Sequence, residues 1–300
     1  MATPFRSDDE TVDFDSFGKA VRFMKRAGVD GVTIVGVLGE SNRLLDTERS
    51  DIIRAAVQSA EDMPVFVGTS HPGTKATAVL SEKAEELGAS GVMITPSREP
   101  TPMDETRLIE YFRAIDSAIS IPIILQDHPA STQVHMSVST MATLVEEIPA
   151  ISCVKLESLP SPPRISALKK SMKSRGCSAT ILTGLGALYG AFDLEEGADG
   201  FMTGFAFPEA LKALVEYSAT NTDKMFEIYQ HWLPLLVFEQ QPGLAVRKEV
   251  YRLRGLLDSS HVRHPGGNIG GRASESLRLL IKRTLPGIDV SKPIDRSFFT

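Results

Sequence analysis

The stretch Pro149-Ala-Ile-Ser-Cys-Val-Lys-Leu-Glu157 has the composition of a short strand, with β-branched and apolar residues and a lysine near its carboxyl end. Because side chains alternate between the faces of a strand, Ile151, Cys153 and Lys155 are expected on one face. In a sheet covered on both sides this lysine would be buried, and burial of an ammonium group favours loss of its proton. A neutral amine attacks carbonyl carbon. On this stretch alone, the alternative interpretation is that Lys155 reaches solvent or pairs with Glu157.

Strand-like segments of this kind recur along the chain, and a helix-like segment follows each of them. The predicted strands cover residues 1–5, 31–35, 64–68, 91–95, 121–126, 149–157, 178–183 and 200–204. Eight βα units predict an α/β fold of the (β/α)8 TIM-barrel class. A doubly wound sheet would have a glycine-rich nucleotide-binding turn after its first strand, and no such turn is visible in the sequence.

Three further helices are predicted after the last strand, over residues 223–239, 244–257 and 273–285. They lie beyond the eight βα units and can cover the barrel or form subunit contacts. The predicted organisation is therefore a barrel over residues 1–220 and a C-terminal helical extension over residues 221–300, packed on the barrel.

The composition is that of a globular chain without a nucleic-acid surface or a membrane span. Its 300 residues have a mild net charge of −6, and the charges are interspersed, which argues against nucleic-acid binding. No apolar run is long enough to cross a membrane and no leader opens the chain, so a cytoplasmic protein is expected. Cys153 and Cys177 have no disulfide or zinc spacing, and only His261 and His264 are neighbouring histidines. A metal site is not expected.

Loops after three predicted strands carry residues suited to binding or proton transfer. In Gly36-Val-Leu-Gly-Glu-Ser41, two glycines ahead of a helix can leave amides free to bind a carboxylate or phosphate oxygen, although such glycines also mark a simple tight turn. In Gln126-Asp-His-Pro-Ala-Ser-Thr132, polar side chains at a strand end are candidates for acid–base chemistry or for loop formation alone. The turn Thr183-Gly-Leu-Gly186 leaves room at Gly184 for a ligand, or for a helix that starts close to the sheet.

A lysine and a carboxylate-binding turn in one barrel mouth define a class of reaction. The amine condenses with the carbonyl group of a 2-keto acid while the turn holds the carboxylate. The iminium that forms is an electron sink, so a carbon–carbon bond beside it can form or break. This chemistry requires no metal and no organic cofactor.

The chain resembles the dihydrodipicolinate synthase and N-acetylneuraminate lyase family, class I Schiff-base aldolases with a (β/α)8 barrel. The motifs that carry the resemblance are Thr3-Pro-Phe, Gly28-Val-Asp-Gly31, Gly36-x-x-Gly-Glu-Ser41, Gly68-Thr, Thr95-Pro, Val154-Lys155 and Gly197-Ala-Asp-Gly200. The resemblance implies that Lys155 forms the Schiff base. It also implies that a pyruvate-like keto acid contacts the turn residues and the eighth strand, at Val37, Leu38, Gly39, Glu40 and Met202. Family members are commonly homotetramers, so a homo-oligomer, either a tetramer or a dimer, is expected.

Several positions depart from the synthase pattern, above all in its proton relay. Gly36-Val-Leu-Gly-Glu40 lacks the two threonines of the synthase, Gln126 stands where it has a tyrosine, and Ser97-Arg98 replaces a Tyr-Tyr pair. The synthase's substrate-binding arginine corresponds to Ser131. The family's Lys-Glu pair becomes Lys155-Leu-Glu157, which moves the acidic residue onto the same strand face as the lysine. Aspartate semialdehyde is therefore not expected as the substrate.

The beginning of the chain also departs from the family pattern. Family members carry several more residues of the first strand ahead of Thr-Pro-Phe, where this sequence has only Met1 and Ala2. A barrel with so short a first strand would have a gap in its ring, so we expect that the recorded start is too late.

Three hypotheses follow for the function. The leading one is a Schiff-base lyase or aldolase that condenses or cleaves pyruvate or a related 2-keto acid, with an aldehyde as the second reactant and with Lys155 and Gln126 as catalytic residues. Water, Gln126, His128 or a substrate group would then transfer the proton in place of the tyrosine. The second hypothesis is dehydration of a 2-keto-3-deoxy sugar acid through the same iminium. The third, from another class, is a degenerate barrel that binds a keto acid without turnover.

Overall fold

Strands and helices alternate along the chain as the sequence predicts. The computed structural model describes residues 1–96, 103–241 and 243–300, so the predicted loop over residues 97–103, including Ser97-Arg98, lies outside the described residues except for Met103. The strands are β1 Val32–Ile34, β2 Val65–Gly68, β3 Gly91–Ile94, β4 Ile123–Asp127, β5 Ile151–Leu156, β6 Thr180–Thr183 and β7 Gly200–Phe201. The helices are α1 Phe14–Arg26, α2 Asp46–Ala60, α3 Thr74–Glu86, α4 Glu105–Asp116, α5 Pro129–Thr132, α6 Val138–Glu147, α7 Ser161–Arg175, α8 Gly190–Glu195, α9 Pro208–Ser218, α10 Thr222–Phe238, α11 Leu244–Leu253 and α12 Gly271–Thr284. Every predicted strand from the second onward is present.

The predicted strand over residues 1–5 is wrong. Phe5 forms only an isolated antiparallel bridge. Pro4 has no amide hydrogen and cannot donate to a strand ladder. The amino group of Met1 donates to the carbonyl oxygen of Thr33 in β1.

Contacts within the chain group its residues into two compact units. The first unit contains Met1–Val65, Leu185–Ala191 and Thr203–Thr300, and the second contains Phe66–Gly184 and Phe192–Met202. The division expected from the sequence, a barrel over residues 1–220 and a helical extension over residues 221–300, stays a prediction.

The second unit is built on parallel strands that follow the chain order from β2 to β7. Their central residues are apolar and buried on both faces, as in other parallel sheets that are covered on both sides. Ile124 of β4 pairs in register with Cys153 of β5. These two residues form a buried apolar layer with Met93 of β3, and Phe66, Leu182 and Met202 pack against it. Because the strands are parallel, their carboxyl ends meet at one edge, where functional residues are expected.

The first unit contains β1, α1, α2 and the C-terminal helices α9 to α12. Its core is rich in aromatic residues: the Trp232 ring of α10 packs against Phe207 with 5.2 Å between ring centroids, and it stacks on Phe299 at 6.3 Å. The last three helices agree with the sequence, but α11 ends at Leu253, before the predicted end, because Gly255 adopts a left-handed φ of 67°. No helix within the described residues is long and apolar enough to cross a membrane.

Candidate active site

Lys155 lies near the carboxyl end of β5 and is buried. It pairs in register with Gln126 of β4, just as Cys153 pairs with Ile124, so Lys155 and Cys153 share a strand face. Lys155 is 9% exposed. The prediction of a buried strand lysine on the Cys153 face is therefore confirmed.

Glu157 joins Lys155 to Gln126. Its Oε2 atom lies 3.1 Å from Lys155 Nζ and accepts a hydrogen bond of 2.6 Å from the Gln126 amide. Burial raises the pKa of Glu157, but the charges of Lys155 and His128 and the Gln126 hydrogen bond outweigh burial and hold this pKa below its ordinary value. Glu157 is therefore a carboxylate at neutral pH, within hydrogen-bond reach of the lysine. The sequence of the strand also allowed the alternative interpretation that Lys155 pairs with Glu157, and the structure contains this ion pair.

Gly184 provides the space that Glu157 occupies. A Cβ atom at Gly184 would lie 1.9 Å from Glu157 Oε1 and 2.6 Å from Glu157 Cγ, both far inside van der Waals contact. The sequence predicts room for a ligand beside Gly184, and the neighbour found there is the carboxylate of Glu157. The glycine therefore determines where the carboxylate can lie.

The apolar layer of Met93, Ile124 and Cys153 lies on the strand face that carries Lys155. Burial raises the pKa of Cys153 to about 12, so its thiol is neutral and does not compete with the lysine as a nucleophile. Met202, predicted to contact the keto acid, is partly buried and packs against this layer. Lys155 therefore has the apolar layer of Met93, Ile124 and Cys153 on its strand face and the polar groups of Gln126 and Glu157 beside its amine.

The predicted carboxylate-binding turn follows β1 in the first unit. Within it, the amides of residues 39–41 donate to the carbonyl oxygens of Gly36 and Val37 at 3.0 to 3.3 Å. The amides of Val37 and Leu38 make no hydrogen bond within the described residues. The donors open to an anion are therefore these two amides rather than the whole turn.

The buried side chain of Glu40 anchors this turn through ion pairs and a hydrogen bond. It is fully buried, pairs with Lys248 of α11 and with Arg43 (2.8 Å), and accepts a hydrogen bond from the Arg263 amide (3.1 Å). Burial lowers the pKa of Lys248 to about 8, although the charge of Glu40 opposes this effect. The sequence predicts Glu40 as a substrate-binding residue, but its carboxylate is occupied by these ion pairs. No sequence pattern links Glu40 to Lys248, because they are far apart along the chain.

The predicted site residues fall into two groups. The second unit contains Lys155, Gln126, Gly184 and Met202, and the first contains Val37, Leu38, Gly39 and Glu40. The place of the turn beside Lys155 stays a prediction. Sequence reasoning put Glu157 on the correct face but missed its bridge to Gln126, for which the only signal was the two-residue spacing. Among the side chains that the structure describes, no three of His, Cys, Asp or Glu are placed to hold a metal ion.

The chain is similar to known proteins over most of its length. The model of the Dihydrodipicolinate synthetase family matches residues 1–284. The L-2-keto-3-deoxyarabonate dehydratase of Azospirillum brasilense is 32% identical over 265 residues, covering 86% of this chain and 84% of the relative. The crystal structure of dihydrodipicolinate synthase from Rhodopseudomonas palustris is 35% identical, with a TM-score of 0.89, covering 94% of this chain and 95% of the other. A prophage protein of the dihydrodipicolinic acid synthase family from E. coli K12, crystallised with pyruvate, is 25% identical, with a TM-score of 0.85, covering 94% and 96%.

These likenesses extend over nearly the whole chain. The prediction of an α/β fold of the (β/α)8 TIM-barrel class with additional C-terminal helices is confirmed by the solved structures and by the presence of α10 to α12. The relatives are a dehydratase and synthases, which agrees with the predicted lyase type of enzyme. The chain therefore belongs to the dihydrodipicolinate synthetase family.

Proposed function

We propose that this protein is a Schiff-base lyase that dehydrates a 2-keto-3-deoxy sugar acid through Lys155. One observation carries the Schiff-base part of the proposal: the carboxylate of Glu157 lies 3.1 Å from Lys155 Nζ and 2.6 Å from the Gln126 amide nitrogen. The similarity to a 2-keto-3-deoxyarabonate dehydratase favours dehydration as the reaction. A buried amine beside a carboxylate combines a nucleophile with a group that takes up and returns protons. The same proposal includes a metal-independent reaction in the cytoplasm by a homo-oligomer, either a tetramer or a dimer.

The first step is attack of the Lys155 amine on the carbonyl carbon of the keto acid. The carbinolamine that forms loses water and becomes an iminium. A proton then leaves C3, its electrons form an enamine, and the hydroxyl group at C4 takes up a proton and departs as water. Glu157 is the carboxylate that accepts the C3 proton and returns a proton to the leaving hydroxyl group. Water hydrolyses the conjugated iminium and releases the lysine.

Gln126, which the sequence predicts as catalytic, acts in this proposal as a positioning residue. An amide does not exchange protons as a phenol does, but its N–H group donates to Glu157 and stabilises the carboxylate. In the part of the first unit that the structure describes, the amides of Val37 and Leu38 are free to bind a carboxylate oxygen. Successive backbone N–H groups in a turn suit a carboxylate oxygen.

Retro-aldol cleavage is the second candidate. It starts from the same iminium, but the C4 hydroxyl group gives its proton to a base, the bond between C3 and C4 breaks, and an aldehyde departs and leaves an enamine on Lys155. The enamine takes up a proton at C3, and water hydrolyses the resulting iminium and releases pyruvate. The E. coli relative crystallised with pyruvate favours this candidate, whereas the dehydratase relative favours the first. Glu157 can serve either reaction, so the products distinguish them.

Borohydride reduction in the presence of pyruvate tests the Schiff base. We expect peptide mass analysis to find a reduced adduct on Lys155 and no adduct in Lys155→Met. Lys83→Met is the control, because Lys83 is exposed on α3 and pairs with Glu86 at 2.8 Å. Failure of every tested 2-keto acid to leave an adduct on the wild-type lysine would contradict the proposal.

Glu157→Gln separates Schiff-base formation from the later proton transfers. We expect the adduct to form, while turnover of a 2-keto-3-deoxy sugar acid falls about 10²-fold or more because an amide cannot accept a proton. Glu147→Gln is the control, since Glu147 forms an exposed ion pair with Arg113. Full turnover by Glu157→Gln would rule out its role, and release of pyruvate with an aldehyde would favour the second candidate.

A further inference from the structure

The backbone of Glu157 is held by the last residue of β4. β5 ends at Leu156, so Glu157 is the first residue beyond that strand. Its amide donates to the Asp127 carbonyl oxygen at 2.9 Å. Because side chains alternate along β4, the Asp127 side chain is expected on the face opposite to Gln126. Two consecutive residues of β4 therefore hold Glu157, Gln126 through the carboxylate and Asp127 through the backbone.

The side chain of Asp127 holds the residue that follows Glu157. It is fully buried, and its Oδ2 atom accepts a hydrogen bond from the hydroxyl group of Ser158, which is also buried. Asp127 thus contacts two successive residues, the Glu157 amide with its carbonyl oxygen and the Ser158 hydroxyl group with its carboxylate. A segment bound at two successive points has little freedom to rotate. These contacts therefore restrict the direction in which the Glu157 side chain leaves the backbone.

Arg164 of α7 fixes the Asp127 carboxylate. Its Nη2 atom lies 3.5 Å from Asp127 Oδ2 and donates to the Met136 carbonyl oxygen at 2.7 Å. The guanidinium group is thus bound on two sides, and its charge favours the carboxylate form of Asp127. The acceptor for the Ser158 hydroxyl group is therefore already in place before any substrate binds.

We propose that Asp127 and Ser158 are positioning residues that direct the Glu157 carboxylate toward the reacting atoms of the substrate. The inference rests on the proposed function, in which Glu157 transfers the protons. Neither Asp127 nor Ser158 exchanges a proton with the substrate. Their contribution is geometric, because a displacement of a reacting group by roughly 1 Å lowers the rate by about 10²-fold.

Ser158→Ala tests the proposal while the side chains of Lys155 and Glu157 stay intact. We expect kcat for consumption of a 2-keto-3-deoxy sugar acid to fall about tenfold and KM to change by less than about twofold, because proton transfer is slowed and binding is not. Borohydride trapping of pyruvate on Lys155 should be unchanged. Asp127→Ala should cause the same loss of kcat. Asp127→Asn should keep kcat within about threefold of the wild type, because its amide oxygen still accepts from the serine.

The matched control is a second buried serine that binds an aspartate in the same unit. The Ser161 hydroxyl group donates to Asp193 Oδ1 at 2.7 Å, and both residues are buried. This bond joins α7 to α8. Ser161→Ala should lower the melting temperature by a similar amount to Ser158→Ala, because each loses one buried hydrogen bond, but its kcat should stay within about twofold of the wild type.

A second background separates positioning from a general structural effect. In Glu157→Gln the group that accepts protons is absent, so its exact position no longer matters. Adding Ser158→Ala to this variant should change the residual rate by less than about twofold, measured in single turnovers with the protein in excess. A structural defect would instead lower the rate in both backgrounds.

Three outcomes would overturn the assignment. They are an unchanged kcat in Ser158→Ala, an equal loss of kcat in Ser161→Ala, and a loss that persists in the Glu157→Gln background. Failure of the proposed function has a different signature, in which the wild type forms no adduct on Lys155 with any 2-keto acid or Glu157→Gln retains full turnover. When the wild type forms the adduct, Glu157→Gln loses turnover and Ser158→Ala equals the wild type, only the present inference fails.

Discussion

At the residue scale, the proposed chemistry depends on a spacing of two residues around the end of β5. Lys155 and Glu157 share a strand face because side chains alternate, and the Glu157 amide extends the ladder by donating to the Asp127 carbonyl oxygen at 2.9 Å. An acidic residue directly after the lysine would point to the opposite face. The two-residue spacing in Lys155-x-Glu157 therefore places a carboxylate beside both the lysine and Gln126. The amide of Gln126 cannot itself take up or release a proton as a carboxylate does.

Gly184→Ala tests whether the position of this carboxylate matters. The new Cβ atom would displace Glu157, whose Oε1 atom lies 1.9 Å from that position. We expect turnover to fall by about 10²-fold, because a shift of the acid–base group by roughly 1 Å is costly. Borohydride trapping of pyruvate by Lys155 should persist, since the lysine itself is untouched.

The matched control is Gly270→Ala, at a position with an ordinary φ of −74° and no atom near the new Cβ. Activity and melting temperature of this variant should equal those of the wild type. Normal turnover by Gly184→Ala would mean that the exact position of Glu157 does not limit the reaction.

At the scale of elements, a buried carboxylate connects α10 to α11. Glu239 directly follows α10, is fully buried, and lies 3.4 Å from Arg247 Nε of α11. It also accepts long hydrogen bonds from the Ala206 amide, at 3.3 and 3.4 Å. Burial raises the pKa of Glu239 to about 7, although Arg247 and the Ala206 amide lower it. This helix junction therefore responds to pH in a range where exposed carboxylates do not.

Glu239→Gln tests the sign of this pH dependence of the unfolding free energy. The carboxyl group loses its proton near pH 4.5 in the unfolded chain and near pH 7 in the folded one. Between these values the folded state binds more protons, so this group's contribution to the unfolding free energy decreases as pH rises. Relative to the wild type, the variant should gain about 3 kcal/mol between pH 4.5 and pH 7, measured by denaturant unfolding. Glu227→Gln, an exposed site on α10, should show no such trend, and a pH-independent difference for Glu239→Gln would refute the prediction.

At the scale of the whole molecule, the C-terminal part of the first unit is held by one buried arginine. Arg254 is fully buried, and its guanidinium group pairs with Glu209 of α9 at 2.6 Å. It also donates to the carbonyl oxygens of Ala206 (2.6 Å) and Val290 (2.9 Å), and it lies 4.6 Å from the centre of the Phe23 ring. A single side chain thus ties α1, α9, the end of α11 and the C-terminal tail together.

Arg254→Met should be strongly destabilising while the reacting groups are unchanged. Removing one partner of a buried ion pair leaves Glu209 charged without its partner, at a cost of roughly 3 to 5 kcal/mol. For a chain of this length we expect the melting temperature to fall by about 10 °C. At a temperature where the variant is folded, Lys155 should still form the borohydride adduct. Arg278→Met is the control, because Arg278 is exposed on α12 and its distance of 3.8 Å from Glu249 makes a weak ion pair. Its melting temperature should equal that of the wild type. An equal fall in melting temperature for the two variants would contradict the prediction.

Local patterns in the sequence predicted the strands from the second onward, the helices between them and the face on which Lys155 and Glu157 lie. These features depend on apolar content and on the alternation of side chains, which are properties of neighbouring residues. The first strand was predicted wrongly because its composition is strand-like, whereas Pro4 cannot donate to a ladder and Phe5 forms only an isolated bridge.

Only the tertiary structure decided which groups that are distant along the chain contact one another. The Gln126 amide on Glu157, the space at Gly184 and the partnership of Glu40 with Lys248 join residues that are far apart along the chain. No local periodicity encodes such pairs, because they form where the chain returns to the same point in space. The sequence by itself therefore placed a buried lysine and a carboxylate on one strand face, and the packing of neighbouring strands and loops determined which atoms lie within reach of them.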